Sequence, residues 1–179
     1  MGISSKIKAV FLDRDGVINN AVVIEGKPYP PATLKEIIIL PGVLDGISSL
    51  KANGYKTFIV TNQPDVARGT TPLHVVEEIN LYLKLQLGID QIYCCFHDDH
   101  ENCECRKPKP GMFLSAAEDW DVELCSSFMI GDRWRDIDAA KASGVRSILI
   151  NYNYDEKRSK PDFECKDFMG AVQYILNSN

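Results

Sequence analysis

Val10-Phe11-Leu12-Asp13-Arg14-Asp15-Gly16-Val17-Ile18-Asn19 is the stretch on which the reading of the whole chain turns. An apolar run that ends in two carboxylates one residue apart, followed at once by glycine, predicts a buried strand delivering acids to the rim of a sheet. Strand ends are where α/β proteins do their chemistry. If the strand geometry continues, the carboxylates at i and i+2 face the same side, so they can share one hard cation or divide a proton-transfer task. Gly16 lets the chain turn sharply beside them. Asp-Gly is also an ordinary turn signal, so the rest of the chain has to decide between a site and a plain strand end.

Outward from this stretch, apolar strand runs alternate with helical patterns. Strands are predicted over 8–12, 56–60, 92–96, 127–130 and 147–150. Helices are predicted over 41–53, 72–87, 111–120, 136–143 and 167–176. Val43, Leu44, Ile47 and Leu50 are the expected core face of the first helix, and Val75, Val76, Ile79, Leu83 and Leu87 that of the second. The connection 20–40 carries Pro28-Tyr29-Pro30-Pro31, which cannot be regular helix, and is too short for a separate cap domain. The pattern predicts an α/β, Rossmann-like doubly wound sheet, mostly parallel, as one domain over 1–179 without a large cap.

Composition excludes several alternatives. With 179 residues, 45% hydrophobic and 25% charged, the chain can bury one good core. Its apolar stretches are strand-sized, and Asp13 interrupts the first too early for a signal peptide or a membrane span, so a cytoplasmic location is expected. Twenty basic against 25 acidic residues give a net charge of −5, which argues against nucleic-acid binding. Any anionic ligand must meet a local basic cluster. Six cysteines without a secretion signal suggest metal or free thiols before disulfides.

In a parallel sheet the strand ends converge on one edge. Asp13 and Asp15 leave the first strand, Thr61 and Asn62 the second and Asp132 the fourth, with Arg106-Lys107 on the loop after the third. Three acids without a histidine suit Mg²⁺, which wants oxygen ligands and keeps waters that a phosphate can replace. A hydroxyl, backbone N–H groups and a lysine suit the phosphate itself. A second cluster runs from Cys95 to Cys105. Cys95, His97, Cys103 and Cys105 form the donor set of a closed, structural Zn²⁺ site. His97 is preferred to His100 because it mirrors the Cys-x-Cys pair across the loop. Zinc there would fix the direction of Arg106 and Lys107, which follow the last ligand.

These residues resemble the haloacid dehalogenase-like phosphatases. Asp13-Arg14-Asp15-Gly16-Val17 is similar to the first motif of that family, Thr61 to the second, Lys107 to the third, and Gly131-Asp132 with Asp136 to the fourth. The resemblance implies Asp13 as nucleophile, Asp15 as general acid and then base, and Thr61 and Lys107 at the phosphate. It also implies Mg²⁺ held by Asp13, Asp132 and the main-chain carbonyl of Asp15, with Asp136 either a further acid or only a helix cap. The cysteine loop and Arg106-Lys107-Pro108-Lys109-Pro110-Gly111-Met112 resemble the capless, zinc-containing branch that includes heptose-bisphosphate and histidinol-phosphate phosphatases. Thr61-Asn62-Gln63 and Ala67-Arg68-Gly69 are most similar to the heptose group; Pro64-Asp65-Val66 departs from it, and the short zinc loop is more like the histidinol-phosphate group. A small phosphorylated sugar is the implied substrate, with Asn62, Gln63, Arg106 and Arg133 as contacts, and histidinol phosphate is the alternative. A second anionic group on that substrate would meet Arg106, helped by Arg68 and Arg133. A phosphoacceptor signalling module also uses Asp, Thr and Lys at strand ends, but here the acids alternate around an arginine on the first strand and no acceptor ends the third.

Overall fold

The computed structural model describes residues 6–178; residues 1–5 and 179, the outer ends of the single domain expected over 1–179, lie outside them. The strands are β1 (Ala9–Leu12), β2 (Val22–Ile24), β3 (Lys27–Tyr29), β4 (Lys56–Asn62), β5 (Gln91–Cys95), β6 (Phe128–Gly131), β7 (Arg146–Ile150) and β8 (Phe163–Cys165). The α-helices are α1 (Val43–Ala52), α2 (Leu73–Leu87), α3 (Gly111–Trp120), α4 (Trp134–Ser143) and α5 (Phe168–Asn177).

Among the described residues, six strands form one parallel sheet in the order β5-β4-β1-β6-β7-β8. The central position of β1 explains why its four residues are all fully buried. Its side chains alternate between two cores, as a strand covered on both faces requires. Val10 and Leu12 join Ile47, Leu50, Ile79, Leu83, Val172 and Ile175 on one side. Ala9 and Phe11 join Phe113, Ala116, Ala139 and Ala140 on the other. The expected doubly wound architecture is the one observed.

Three details differ from the sequence expectation. Leu44 is exposed. The stripe of α1 runs through Val43, Gly46, Ile47 and Leu50, and Leu44 lies about 100° round the helix from Val43. Gly46 belongs to that stripe because α1 meets α5 so closely that a Cβ there would lie 2.6 Å from the Phe168 ring. Second, β8 adds a sixth strand that the alternation did not predict. Third, the connection 20–40 contains an antiparallel hairpin, β2 against β3, in which Pro28 pairs with Val23. A two-stranded ribbon tolerates this proline because it has an open side. The hairpin places Pro28, Tyr29 and Pro30 over the carboxyl edge of the sheet as a small cover.

Candidate active site

Beyond β1 the chain stays in the sheet for one more hydrogen bond, from the Asp13 N–H to the Ile130 carbonyl at 3.0 Å. The Asp13 side chain is thereby set at the carboxyl edge, where it accepts from Lys107 Nζ at 2.9 Å. Lys107 also donates to Asp136 Oδ1 at 2.6 Å and to the Val60 carbonyl at 2.7 Å, so all three of its protons are used. Burial alone would lower the Lys107 pKa, but the Asp13 and Asp136 carboxylates outweigh it and hold the amine charged.

Asp13, Asp132 and Asp136 form one buried group, with one carboxylate oxygen of each within 4.8 Å of the others. Neither oxygen of Asp132 has a hydrogen-bond partner among the described residues. A buried carboxylate left this way is unstable unless something positive meets it. Burial, then the Asp136 carboxylate, pushes the Asp13 pKa up to about 6, against the opposing pull of Lys107. Burial, then Asp13 and Asp136, pushes Asp132 well above the usual carboxylate range. Lys107 bonds two of the three acids, and the Asp132 oxygens supply the donors a hard divalent cation seeks. Gly16 leaves room for that arrangement: its φ is +88°, and a Cβ would lie 2.0 Å from Asp132 Oδ2.

The two acids of the first motif do not both enter this group. The Asp15 carboxylate accepts from Asn19 Nδ2 at 2.9 Å, Gln63 Nε2 at 2.8 Å and the Arg14 guanidinium at 3.0–3.3 Å. Its side chain therefore faces a separate polar cluster, and Asp136 fills the place in the carboxylate group. Asp136 also caps α4, accepting from the Arg133 N–H at 3.0 Å. Arg14, whose partners the sequence did not reveal, is fully buried and reaches Asn80 at 3.0 Å.

Asp13, Asp15, Thr61, Asn62, Lys107, Arg133, Arg135 and Asp136 line one cavity of about 80 Å³ under the hairpin. The amide of Asn62 is committed to the protein: it accepts from the Lys107 N–H at 3.0 Å and donates to the Lys107 carbonyl at 2.9 Å. Gln63 is buried between Asp15 and Thr61 Oγ1, donating to the hydroxyl at 2.9 Å. Both residues, expected as substrate contacts, thus position neighbours of the site.

Cys95, His97, Cys103 and Cys105 come together as their spacing suggested. Their Sγ–Sγ separations are 3.6, 3.1 and 3.5 Å, and His97 Nδ1 lies 3.6 Å from Cys95 Sγ and 3.3 Å from Cys105 Sγ. A disulfide would need about 2.05 Å. A tetrahedral zinc with sulfur at about 2.3 Å has edges of roughly 3.8 Å, close to what is found. His100 is exposed and outside the group. The loop then returns so tightly that a Cβ on Gly111 would lie 2.3 Å from the Glu104 carbonyl.

A second cavity, of about 230 Å³, adjoins the first through a common wall of Pro28, Tyr29, Pro30, Asn62, Arg133 and Arg135. Arg68, Arg106, Arg133 and Arg135 all line it, together with Asp65 and Asp99. Arg135 was not anticipated from the sequence, although it stands three residues after Asp132, in the first turn of α4. Arg133 is held by Glu156 at 2.6 Å.

Comparison with known proteins agrees with this geometry. Residues 22–144 match the family described as haloacid dehalogenase-like hydrolase. The chain is 35% identical to D-glycero-beta-D-manno-heptose-1,7-bisphosphate 7-phosphatase of Helicobacter pylori, with 94% of this chain and 97% of the relative aligned. It is 33% identical to the protein of the same name in Escherichia coli, over 98% and 92%. Among solved structures, the D,D-heptose 1.7-bisphosphate phosphatase from B. bronchiseptica, complexed with magnesium and phosphate, superposes with a TM-score of 0.82 at 29% identity, covering 97% of this chain and all 100% of that one. By its parallel sheet, its buried acids at the carboxyl edge and these relatives, the chain belongs to the haloacid dehalogenase-like hydrolases, and within them to the phosphatases.

Proposed function

We propose that this phosphoric monoester hydrolase removes the 7-phosphate of D-glycero-β-D-manno-heptose 1,7-bisphosphate, working with Mg²⁺ and passing through an aspartyl-phosphate on Asp13. The observation that carries the reading is the pair of adjoining cavities: one holds Asp13, Thr61 and Lys107, and the other gathers four arginines on a protein of net charge −5. A substrate with two separated phosphates fits both at once. The names of the relatives supply the sugar.

In this mechanism an Asp13 oxygen attacks phosphorus while the ester oxygen leaves and takes a proton from Asp15. Asp15, now a carboxylate, removes a proton from water, which attacks the phosphorus of the aspartyl-phosphate and frees phosphate and Asp13. Lys107 and the Thr61 hydroxyl hold the transferring oxygens, which is the main contribution a protein makes to this reaction. Arg14, Asn19 and Gln63 orient Asp15. Mg²⁺, held by Asp13, Asp132 and the Asp15 main-chain carbonyl, would neutralise charge on the phosphoryl group and keep Asp13 ionised. Zn²⁺ on Cys95, His97, Cys103 and Cys105 would be structural, since four protein donors leave no open position. We further assign the whole span 1–179 to one catalytic domain. The cytoplasm suits it: none of the six cysteines is in a disulfide, and three of them gather with His97 as thiols.

A phosphate-release assay across heptose 1,7-bisphosphate, histidinol phosphate and p-nitrophenyl phosphate tests this. The highest kcat/KM is expected for the heptose bisphosphate, with heptose 1-phosphate as product. A higher kcat/KM for histidinol phosphate would overturn the substrate assignment.

A further inference from the structure

We propose that Asp99 is a built-in competitor for the second anionic group of the substrate: it occupies the Arg106–Arg135 pair in the free enzyme and yields it when a bisphosphate binds. The inference rests on the bisphosphate reading above and adds a residue that sets its specificity.

Asp99 Oδ1 accepts from Arg106 Nε at 2.8 Å and from Arg135 Nη1 at 3.0 Å, so one carboxylate bridges two guanidinium groups. This is the arrangement a phosphate would adopt between them. Arg135 belongs to the wall shared by the two cavities, so a group held there is next to the group being transferred.

Asp65, the other acid of the lining, accepts from Arg68 Nη1 at 3.3 Å and is not bonded to Arg106 or Arg135 among the described residues, and the acids that pair with Arg133 and Arg68 have structural tasks. Glu156, besides holding Arg133, accepts from the Trp134 N–H at 3.3 Å. Asp98, besides holding Arg68, accepts from the Asp99 N–H at 2.7 Å and takes part in a capping box with Glu101. The Asp99 carboxylate has no hydrogen bond beyond its two arginines among the described residues. Its side chain is 59% exposed, whereas that of Arg106 is 10% exposed. The turn Asp99–Glu101 is held by the Asp98–Glu101 box, so it stays folded when Asp99 lets go.

The exchange is favourable on general grounds. Asp99 is the exposed partner, so its carboxylate regains water on release while Arg106 and Arg135 pass to the incoming group. A phosphate group brings close to two charges and three acceptor oxygens where the carboxylate brings one charge. The internal acid keeps two adjacent cations from standing unpaired in the free enzyme, and displacing it is a cost met only by a ligand that brings a second anionic group to the pair. A ligand without that group leaves Asp99 in place.

The test uses Asp13→Asn protein, which binds without turnover, and calorimetric titration with fructose 1,6-bisphosphate and fructose 6-phosphate in Mg²⁺. Adding Asp99→Asn should tighten the bisphosphate by about fivefold and move the monophosphate by less than about twofold. Adding Arg135→Met instead should remove most of the preference for the bisphosphate. Weaker or unchanged bisphosphate binding in Asp99→Asn would make Asp99 a support for the arginines and overturn the proposal. Equal tightening of both ligands, a parent without bisphosphate preference, or an Arg135→Met protein that keeps it would do the same. Because both probes are fructose esters, failure of the heptose assignment would appear in the turnover assay and leave this result standing.

Discussion

Replacing Lys107 by methionine should produce a pH-dependent loss of stability, because among the described residues its ammonium is the cation bonded to buried Asp13 and Asp136. The side chain is 3% exposed and lies 2.9 Å from Asp13 and 2.6 Å from Asp136. Taking one partner from a buried ionic cluster costs about 3–5 kcal/mol when the remaining charges stay ionised. Asp13 does not stay ionised at every pH. Asp13 binds its proton more tightly in the folded protein, with its pKa raised from 3.8 to about 6. A raised acid means that the folded state holds more protons between those values, so stability falls as pH rises through that window. For the wild type the fall attached to Asp13 is on the order of 3 kcal/mol. Loss of Lys107, which lowers this pKa, extends the window upward. Urea unfolding of both proteins in Mg²⁺-free buffer should therefore show a difference of about 3–5 kcal/mol at pH 8 that shrinks as the pH falls to 5 and Asp13 takes up its proton. Millimolar Mg²⁺ should recover part of the deficit at pH 8, since binding to the folded state alone stabilises it. A difference that is the same at pH 5 and pH 8 would refute the argument that charge compensation is what Lys107 contributes to the fold.

Cys103→Ser should lose the one zinc expected per chain, read by metal analysis, and lower the melting midpoint on the order of 10 °C, because binding at such a site is folding free energy. Native protein that contains no zinc and melts unchanged after chelation would contradict it. Gly16→Ala should cost about 1–3 kcal/mol in urea, given its φ of +88°, and should raise the Mg²⁺ concentration for half-maximal activity by about tenfold or more, since the new methyl group overlaps Asp132 Oδ2. An unchanged Mg²⁺ requirement would separate Gly16 from the cation site.

The central sheet was legible because β1, β4 and β6 are buried on both faces and so read as unbroken apolar runs ending in turn signals. The short edge strand β8 has an exposed Glu164 at its middle and offers neither a run nor an alternation long enough to notice. Leu44 was misplaced because the buried stripe of α1 runs through Val43, Gly46, Ile47 and Leu50, and Leu44 lies beyond its edge. At the site, residue types at strand ends and on the loop after β5 gave away the acids, Thr61 and Lys107, and loop spacing gave away the cluster of Cys95, His97, Cys103 and Cys105. What stayed hidden depends on partners far along the chain. Arg14 finds Asn80 at 66 positions' distance, and Asn62 finds the Lys107 main chain at 45. An asparagine at a strand end looks the same whether its amide awaits a ligand or grips a neighbouring loop.

That grip has a consequence for how such a loop can change. Asn62 takes both main-chain groups of Lys107, and the returning chain packs Gly111 on the Glu104 carbonyl, so the lysine is registered to β4 from one side and to α3 from the other. The intervening turn at Asp99–Glu101 is not part of either anchor. Residues could be inserted or removed between His97 and Cys103 without moving the ammonium group. Lys107 and the surface turn above it are anchored separately, so the turn can vary in length while Lys107 stays in place, provided that Asp99 still reaches Arg106 and Arg135.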